Sequence, residues 1–356
     1  VSIGPHIDAL LAQGATFAAF RMPGEAPVAW VQHDPELRPP HAGQRCFVLA
    51  PFDAGDGPTL CIRPDLELTA ALAPLAANSG ASGHRAAQAA ASGLDRAGYK
   101  AAVEQAITAI RAGLAEKVVL ARTIEAGLGG CTLGALFDAA AQALPDAFVA
   151  MASTDPYGLW LGASPERLLV VRDGTVEVDA LAGTMPVEAA PDRAKDWGAK
   201  ERGEQALVTR MVKATLIEAG AMDVMEHAPR VKAAGPVAHL HTRITGALGL
   251  LDTLGLAKAL HPTPAVCGTP TPSALRMIKA LEPRGRSLYA GYWGPVEAGS
   301  ASLYVNIRCM QLFTGSALLH VGAGITGDSV PDRECDEVER KASTWLGLLE
   351  AQLPRG

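Results

Sequence analysis

The chain has six cysteines (Cys46, Cys61, Cys131, Cys267, Cys309 and Cys335) but no Cys-x-x-Cys pair. Thiols scattered this way give no zinc or redox motif and no disulfide framework, so they are expected to be reduced and mostly buried. No apolar run is long enough to span a bilayer, and no basic segment followed by an apolar core opens the chain. Basic blocks are absent as well, and a formal net charge of −6 leaves no electrostatic footprint for nucleic acid. There is no fixed-period repeat, which excludes a solenoid or propeller. These absences leave a cytoplasmic protein with neither membrane nor nucleic acid as a partner as the expectation.

What is present is an ordinary globular balance. The 356 residues are 49% hydrophobic and 19% charged, enough for a sizeable core in one large domain or two ordinary ones. Residues 1–75 mix short apolar runs with Pro and Gly, a pattern of several strands joined by turns. The Ser-, Ala- and Gly-rich stretch 78–93 reads as a linker. Tyr99, Val103, Ile107, Ile110 and Leu114 then recur at helical spacing up to Gly113, and the β-branched run "KVVLART" follows as a strand.

Asp173-Gly174, between two Val- and Leu-rich runs, is a hairpin signal. Residues 201–219, 252–260, 272–281 and 333–353 read as helices, and "HLHTRITGAL" as a strand. "SLYVNIRCMQLFTGSALLHVGAGI" reads as a second hairpin turning at Thr314-Gly315. Hairpins outnumber strand–helix–strand units, which predicts an α+β fold of large, mostly antiparallel sheets flanked by helices, with the active-site cleft between sheet and helices.

Four segments carry candidate chemistry. Lys117 opens a strand and shares a face with Val119, Ala121 and Thr123; alone, it is equally a lysine whose stem lies along apolar surface. Glu166 follows the Ser164-Pro165 turn and on its own could be a surface carboxylate beside Arg167 or Arg172. Glu201 and Glu204 share one helical face, and Glu334, Glu337 and Lys341 another. Two such faces across a cleft suit Mg²⁺, which takes oxygen ligands, though solvated helix faces give the same pattern. Gly322-Ala323-Gly324 allows backbone N–H groups close to an anion, and is also compatible with a tight strand end. Arg308 reads as a guanidinium inside an apolar strand, where burial requires a carboxylate partner.

The segments "EKVVLAR", "GASPERLL", "LAGT", "LHPTPAVCGTP", "YVNIRCMQL", "VGAGI" and "ECDEVERKAST" stand in this order over about residues 95–350. In that order they resemble the chorismate-utilising enzymes, a family that includes isochorismate, salicylate, anthranilate and aminodeoxychorismate synthases. The resemblance implies a chorismate-binding catalytic core over 95–353, preceded by a variable N-terminal part of the same fold (1–94). It also implies a monomer acting on the small molecule chorismate.

By resemblance, Lys117 is the general base that activates water and Glu166 the general acid that protonates the departing hydroxyl. Glu204 and Glu337 are the implied Mg²⁺ ligands, assisted by Glu201 and Glu334. Substrate contacts are implied for Gly183, Thr184, His239, Ala265, Val266, Tyr289, Arg308, Gly322, Ala323, Gly324 and Lys341. Lys117 favours water as nucleophile over ammonia. Ala182 replaces the lysine typical of aminodeoxychorismate synthases, and Ala265-Val266 resembles the Ala-Leu pair of isochorismate synthases. The implied activity is Mg²⁺-dependent isochorismate synthesis, feeding siderophore or menaquinone production. The alternatives are salicylate synthesis and a non-catalytic chorismate-binding partner protein.

Overall fold

The computed structural model describes residues 2–72, 93–234, 237–249 and 252–352. The first part of the chain forms α1 (Gly4–Ala12), β1 (Thr16–Arg21), β2 (Val28–Gln32), β3 (Cys46–Ala50), β4 (Leu60–Ile62) and β5 (Leu66–Thr69). There follow α2 (Arg96–Arg111), β6 (Lys117–Gly127), α3 (Leu133–Ala143), β7 (Phe148–Thr154), β8 (Gly158–Ser164), β9 (Arg167–Arg172), β10 (Thr175–Pro186) and α4 (Ala199–Glu218). Next come β11 (Met222–Glu226), β12 (Arg230–Ala234), β13 (Val237–Ala247), α5 (Thr253–Leu260), β14 (Gly268–Thr269) and α6 (Thr271–Leu281). The chain ends with β15 (Tyr292–Glu297), β16 (Ser300–Val305), β17 (Cys309–Phe313), β18 (Ser316–Ile325) and α7 (Pro331–Ala351).

The strands make two sheets. One runs β14-β6-β18-β17-β8-β7-β1-β2-β5; the other runs β11-β13-β10-β9-β16-β15-β3-β4, with β12 also paired to β13. Every ladder between these strands is antiparallel, and helices lie against the sheets, so the fold is α+β. Aromatic side chains from both sheets interlock between them. Phe148 of the first sheet stacks on Tyr304 of the second at 4.4 Å, and Phe47 lies 5.4 Å from Phe20. Such pairs add about 0.5–1.5 kcal/mol each beyond the area they bury.

Residues 16–69 contribute strands to both sheets, so the two layers do not divide at the end of the N-terminal part. That region also opens with a helix, α1, where strands alone were expected; Pro5 fits its first turn. Residues 78–92 of the expected linker lie outside the described residues. The six thiols are free, and all but Cys131 are buried.

Both expected hairpins form. Asp173 and Gly174 take φ of 49° and 76° and close a two-residue turn between Arg172 and Thr175. Thr314-Gly315 joins Phe313 to its partner Ser316. The stretch leading into the second hairpin needs correction. Residues 302–313 are two strands rather than one, because Asn306-Ile307-Arg308 carries the chain from β16 in one sheet to β17 in the other. Arg308 therefore lies in a crossing at φ 50°, outside any strand.

A second crossing, Pro165-Glu166, takes the chain from β8 to β9 in the opposite direction. The two crossings are fastened side by side: Val305 N–H donates to the Glu166 carbonyl and Ala163 N–H to the Arg308 carbonyl, each at 3.0 Å. Chains that change sheets this way form the corners of a two-sheet packing. Here the corner carries Glu166 and Arg308.

Candidate active site

One pocket gathers most of the residues proposed from the sequence. Its lining includes Lys117, Glu166, Thr184, His239, Ala265 and Val266. Tyr289, Arg308, Gly322, Gly324 and Lys341 complete the wall, and Glu201, Glu204, Glu334 and Glu337 reach it from α4 and α7. Gly183 and Ala323 do not line it. Gly183 sits at φ 66° where the β10–β13 register shifts, and a Cβ there would meet the Glu201 backbone at 3.0 Å. It seats α4 rather than touching the pocket. Ala323 alternates with Gly322 and Gly324 and packs into the core.

Lys117 is 3% exposed, and its Nζ donates to Glu204 Oε1 at 2.6 Å. The absence of a side chain at Gly324 makes room for it, since a Cβ there would lie 2.8 Å from Lys117 Cε. Burial opposes charge on Glu204, but Lys117 outweighs it, with Lys200 and Lys341 adding, and the carboxyl is held below its usual range. On α7, Lys341 Nζ donates to Glu337 at 2.6 Å and to the Gly322 carbonyl at 2.8 Å.

Glu166 is also 3% exposed and has no cation within ion-pair distance among the described residues. Neither neighbouring arginine neutralises it, because Arg167 pairs with Asp179 and Glu177. Burial first, and then the Asp179 charge, push its carboxyl up to about 8 against Lys232, Lys117 and Lys341. It is therefore largely protonated at neutral pH, the state a general acid needs.

Arg308 finds no carboxylate partner for its guanidinium among the described residues; its carbonyl accepts from Trp345 Nε1 at 2.7 Å. Burial lowers it to about 10 against the pull of Glu337. It remains a charged donor facing the pocket, free for an anion. His239 Nδ1 lies 3.0 Å from Thr184 Oγ1, and burial together with Arg308, Lys341 and Lys232 keeps its ring neutral.

Sequence reasoning missed Lys200 and His320 in the lining. Lys200 stands one residue before Glu201 on a helix surface where lysine is commonplace. His320 could have been found: it precedes Gly322 and Gly324 at period two on the same strand face. Its ring packs against Tyr289 and Trp160, and burial lowers it to about 3, so it too is neutral.

Four glutamates, from α4 and α7, face the pocket. All donors are carboxylate oxygens, as Mg²⁺ requires. Burial and then the charge of Glu337 raise the Glu334 carboxyl, so these two crowd each other where a cation would relieve them. Glu204 and Glu337 are instead held by lysines, and among the described residues no three acidic, His or Cys side chains converge on one point. The donors are of the type a hard divalent ion takes, while Lys117 and Lys341 occupy two of the four carboxylates.

The two-sheet fold thus brings a buried lysine, a buried carboxyl and an arginine to one pocket. The family described as chorismate binding enzyme matches residues 52–347, and the chain belongs to it. It is 34% identical over 288 residues to the salicylate biosynthesis isochorismate synthase of Pseudomonas aeruginosa, covering 76% of this chain and 60% of that protein. It is 32% identical over 271 residues to an anthranilate synthase component 1 of Halobacterium salinarum, covering 72% and 51%. The matches thus span less than two thirds of those relatives' own lengths. The structure of MenF, the menaquinone-specific isochorismate synthase from Escherichia coli, superposes with a TM-score of 0.79 over 96% of this chain and 91% of that one at 23% identity, a likeness of fold. No described helix is long and apolar enough to cross a membrane.

Proposed function

We propose that the chain is an isochorismate synthase that interconverts chorismate and isochorismate. The observation that carries this reading is Glu166: a buried, unpaired carboxyl raised to about 8, in the same pocket as the buried Lys117 amine. Water adds at C2 of the ring and gives its proton to Lys117. The C4 hydroxyl leaves with the Glu166 proton, and the double bonds shift between the two carbons. Acid and base at opposite ends avoid both free hydroxide and a hydroxide leaving group. The Lys117 amine is tied to Glu204, so that pair must open before the amine can take a proton from water.

Charge in the lining supports a divalent ion and a dianionic substrate together. In the resting site, with Lys117 still paired to Glu204 and with Glu166, His239 and His320 neutral, four cations (Lys117, Lys200, Arg308, Lys341) balance four carboxylates (Glu201, Glu204, Glu334, Glu337). A dianion entering alone would leave the site uncompensated, whereas a dianion with one divalent cation leaves the balance intact. Glu204 and Glu337, assisted by Glu201 and Glu334, would hold Mg²⁺, which when bound offsets a substrate carboxylate. Arg308 and Lys341 are the groups for carboxylate binding. The product would feed siderophore or menaquinone synthesis.

The test is product analysis by chromatography after incubation with chorismate and Mg²⁺. Isochorismate in equilibrium with chorismate is expected, with turnover lost in EDTA and restored by Mg²⁺. Salicylate plus pyruvate as the main product, ammonia-dependent anthranilate, or binding without turnover would each overturn the reading.

A further inference from the structure

The turn that carries Glu166 is held from a strand with no assigned site residue. Lys232, on β12, donates from Nζ to the Pro165 carbonyl at 2.7 Å and lies 3.6 Å from Asp179. The Asp179 side chain is fully buried on β10. It accepts from Arg167 Nε and Nη2 at 3.0 and 2.7 Å and lies 2.8 Å from His241 Nε2. Glu166 is thus flanked by two tied residues, Pro165 through Lys232 and Arg167 through Asp179, and the two ties meet at Asp179.

A lysine on an edge strand usually serves to discourage pairing with another sheet. Lys232 does not fit that use, since its side chain is 25% exposed and its ammonium is committed to an interior carbonyl.

We propose that Lys232 is a positioning residue for Glu166, fixing the Pro165–Glu166 turn and turning a positive charge toward the acid. The proposal rests on the reading of Glu166 as the general acid. The charges that bear on the carboxyl come from four elements: Asp179 on β10, Lys232 on β12, Lys117 on β6 and Lys341 on α7. Asp179 favours the protonated acid, and the three lysines oppose it. Removing Lys232 therefore takes away one opposing cation, so Glu166 titrates higher and activity persists to higher pH. The loosened turn lowers the rate itself. A residue that merely stabilised the fold would lower the rate without moving the limb.

The test compares Lys232→Met, Lys232→Gln and Lys232→Arg. Glu166 is titrated in the free protein by NMR of carboxyl-labelled glutamate, its signal assigned by loss in Glu166→Gln, and kcat and KM are measured against pH. Lys232→Met is expected to raise the Glu166 midpoint and lower kcat about tenfold, with KM changed less than about twofold. Lys232→Gln, which keeps a donor but no charge, should raise the midpoint and keep most of kcat. Lys232→Arg should restore both. An unmoved midpoint in Lys232→Gln overturns the proposal even where Lys232→Met fails to fold. The titration needs no turnover, so a chain inactive on chorismate would sink the functional reading while the positioning is still judged by the NMR result.

Discussion

Adding one methyl group at Gly324 tests whether the position of Lys117 governs the chemistry. A Cβ there would stand 2.8 Å from Lys117 Cε and 3.3 Å from both Lys117 Nζ and Glu204 Oε1. Carbon atoms rest about 3.5–4.0 Å apart, so Cε must retreat by about 0.7–1.2 Å. The atom that yields is the far end of a flexible side chain, and the Gly324 backbone is not in the left-handed region, so the fold loses little. The amine is different: a displacement of about 1 Å in a reacting group costs on the order of 10²-fold in rate, or about 2.7 kcal/mol of barrier. Gly324→Ala should therefore lower kcat about a hundredfold in a chromatographic assay of isochorismate while the circular dichroism spectrum and thermal midpoint stay close to wild type. Gly347→Ala, at an exposed position of α7 with nothing within 4 Å of the new methyl, is the control. It should leave kcat unchanged and add about 0.5–1 kcal/mol of stability. A folded Gly324→Ala within about twofold of wild-type kcat would refute the reasoning.

Glu166→Gln removes the transferable proton at nearly constant shape and should lower kcat by about 10²–10⁴-fold, read in the same assay. In the wild-type protein, activity should fall as pH rises through about 8, where Glu166 loses its proton, and Glu166→Gln should lose that limb from its residual rate. Stability should weaken on the acid side. Burial depresses His261 to about 4 and His320 to about 3, so their contribution is complete above about 6.5, where the unfolded chain holds them neutral too. It is lost as pH falls below that value, because the unfolded state takes up protons first; Glu166, raised to about 8, acts in the opposite sense over the same window, so the decline in urea midpoint from pH 7.5 to 4.5 should be read in Glu166→Gln, where that opposing group is gone.

The elements around the site were legible where a local pattern decided them. The β-branched run after Lys117 made a strand, and Asp173-Gly174 made a hairpin because both residues tolerate positive φ. The passage through Arg308 was not legible, since apolar residues flank it on both sides and the change of sheet depends on partners far away in sequence. For Glu166, the local pattern showed only a turn, and its role rested on the resemblance. Its burial and raised carboxyl come from β10, β12 and the neighbouring crossing, which no local window contains. Gly183 was singled out for the pocket, and its left-handed backbone, lying close to Glu201 of α4, was not legible from the sequence. Lys200 and Lys232 carried no signal at all, because a lysine on a helix surface or an edge strand is commonplace.

The side-by-side crossings have a consequence for how this site tolerates change. Glu166 is anchored where the chain leaves one sheet, and Lys117 stands on a strand of that same sheet, facing helix α4, which packs on the other. Glu166 also leads into β9 of the other sheet, so the span between Glu166 and the Lys117–Glu204 pair depends on how the two layers seat against each other, as a hinge line fixes the gap between two boards. A substitution deep between the layers, among Phe47, Phe148 and Tyr304, would reach the reaction through a small slip of one board over the other.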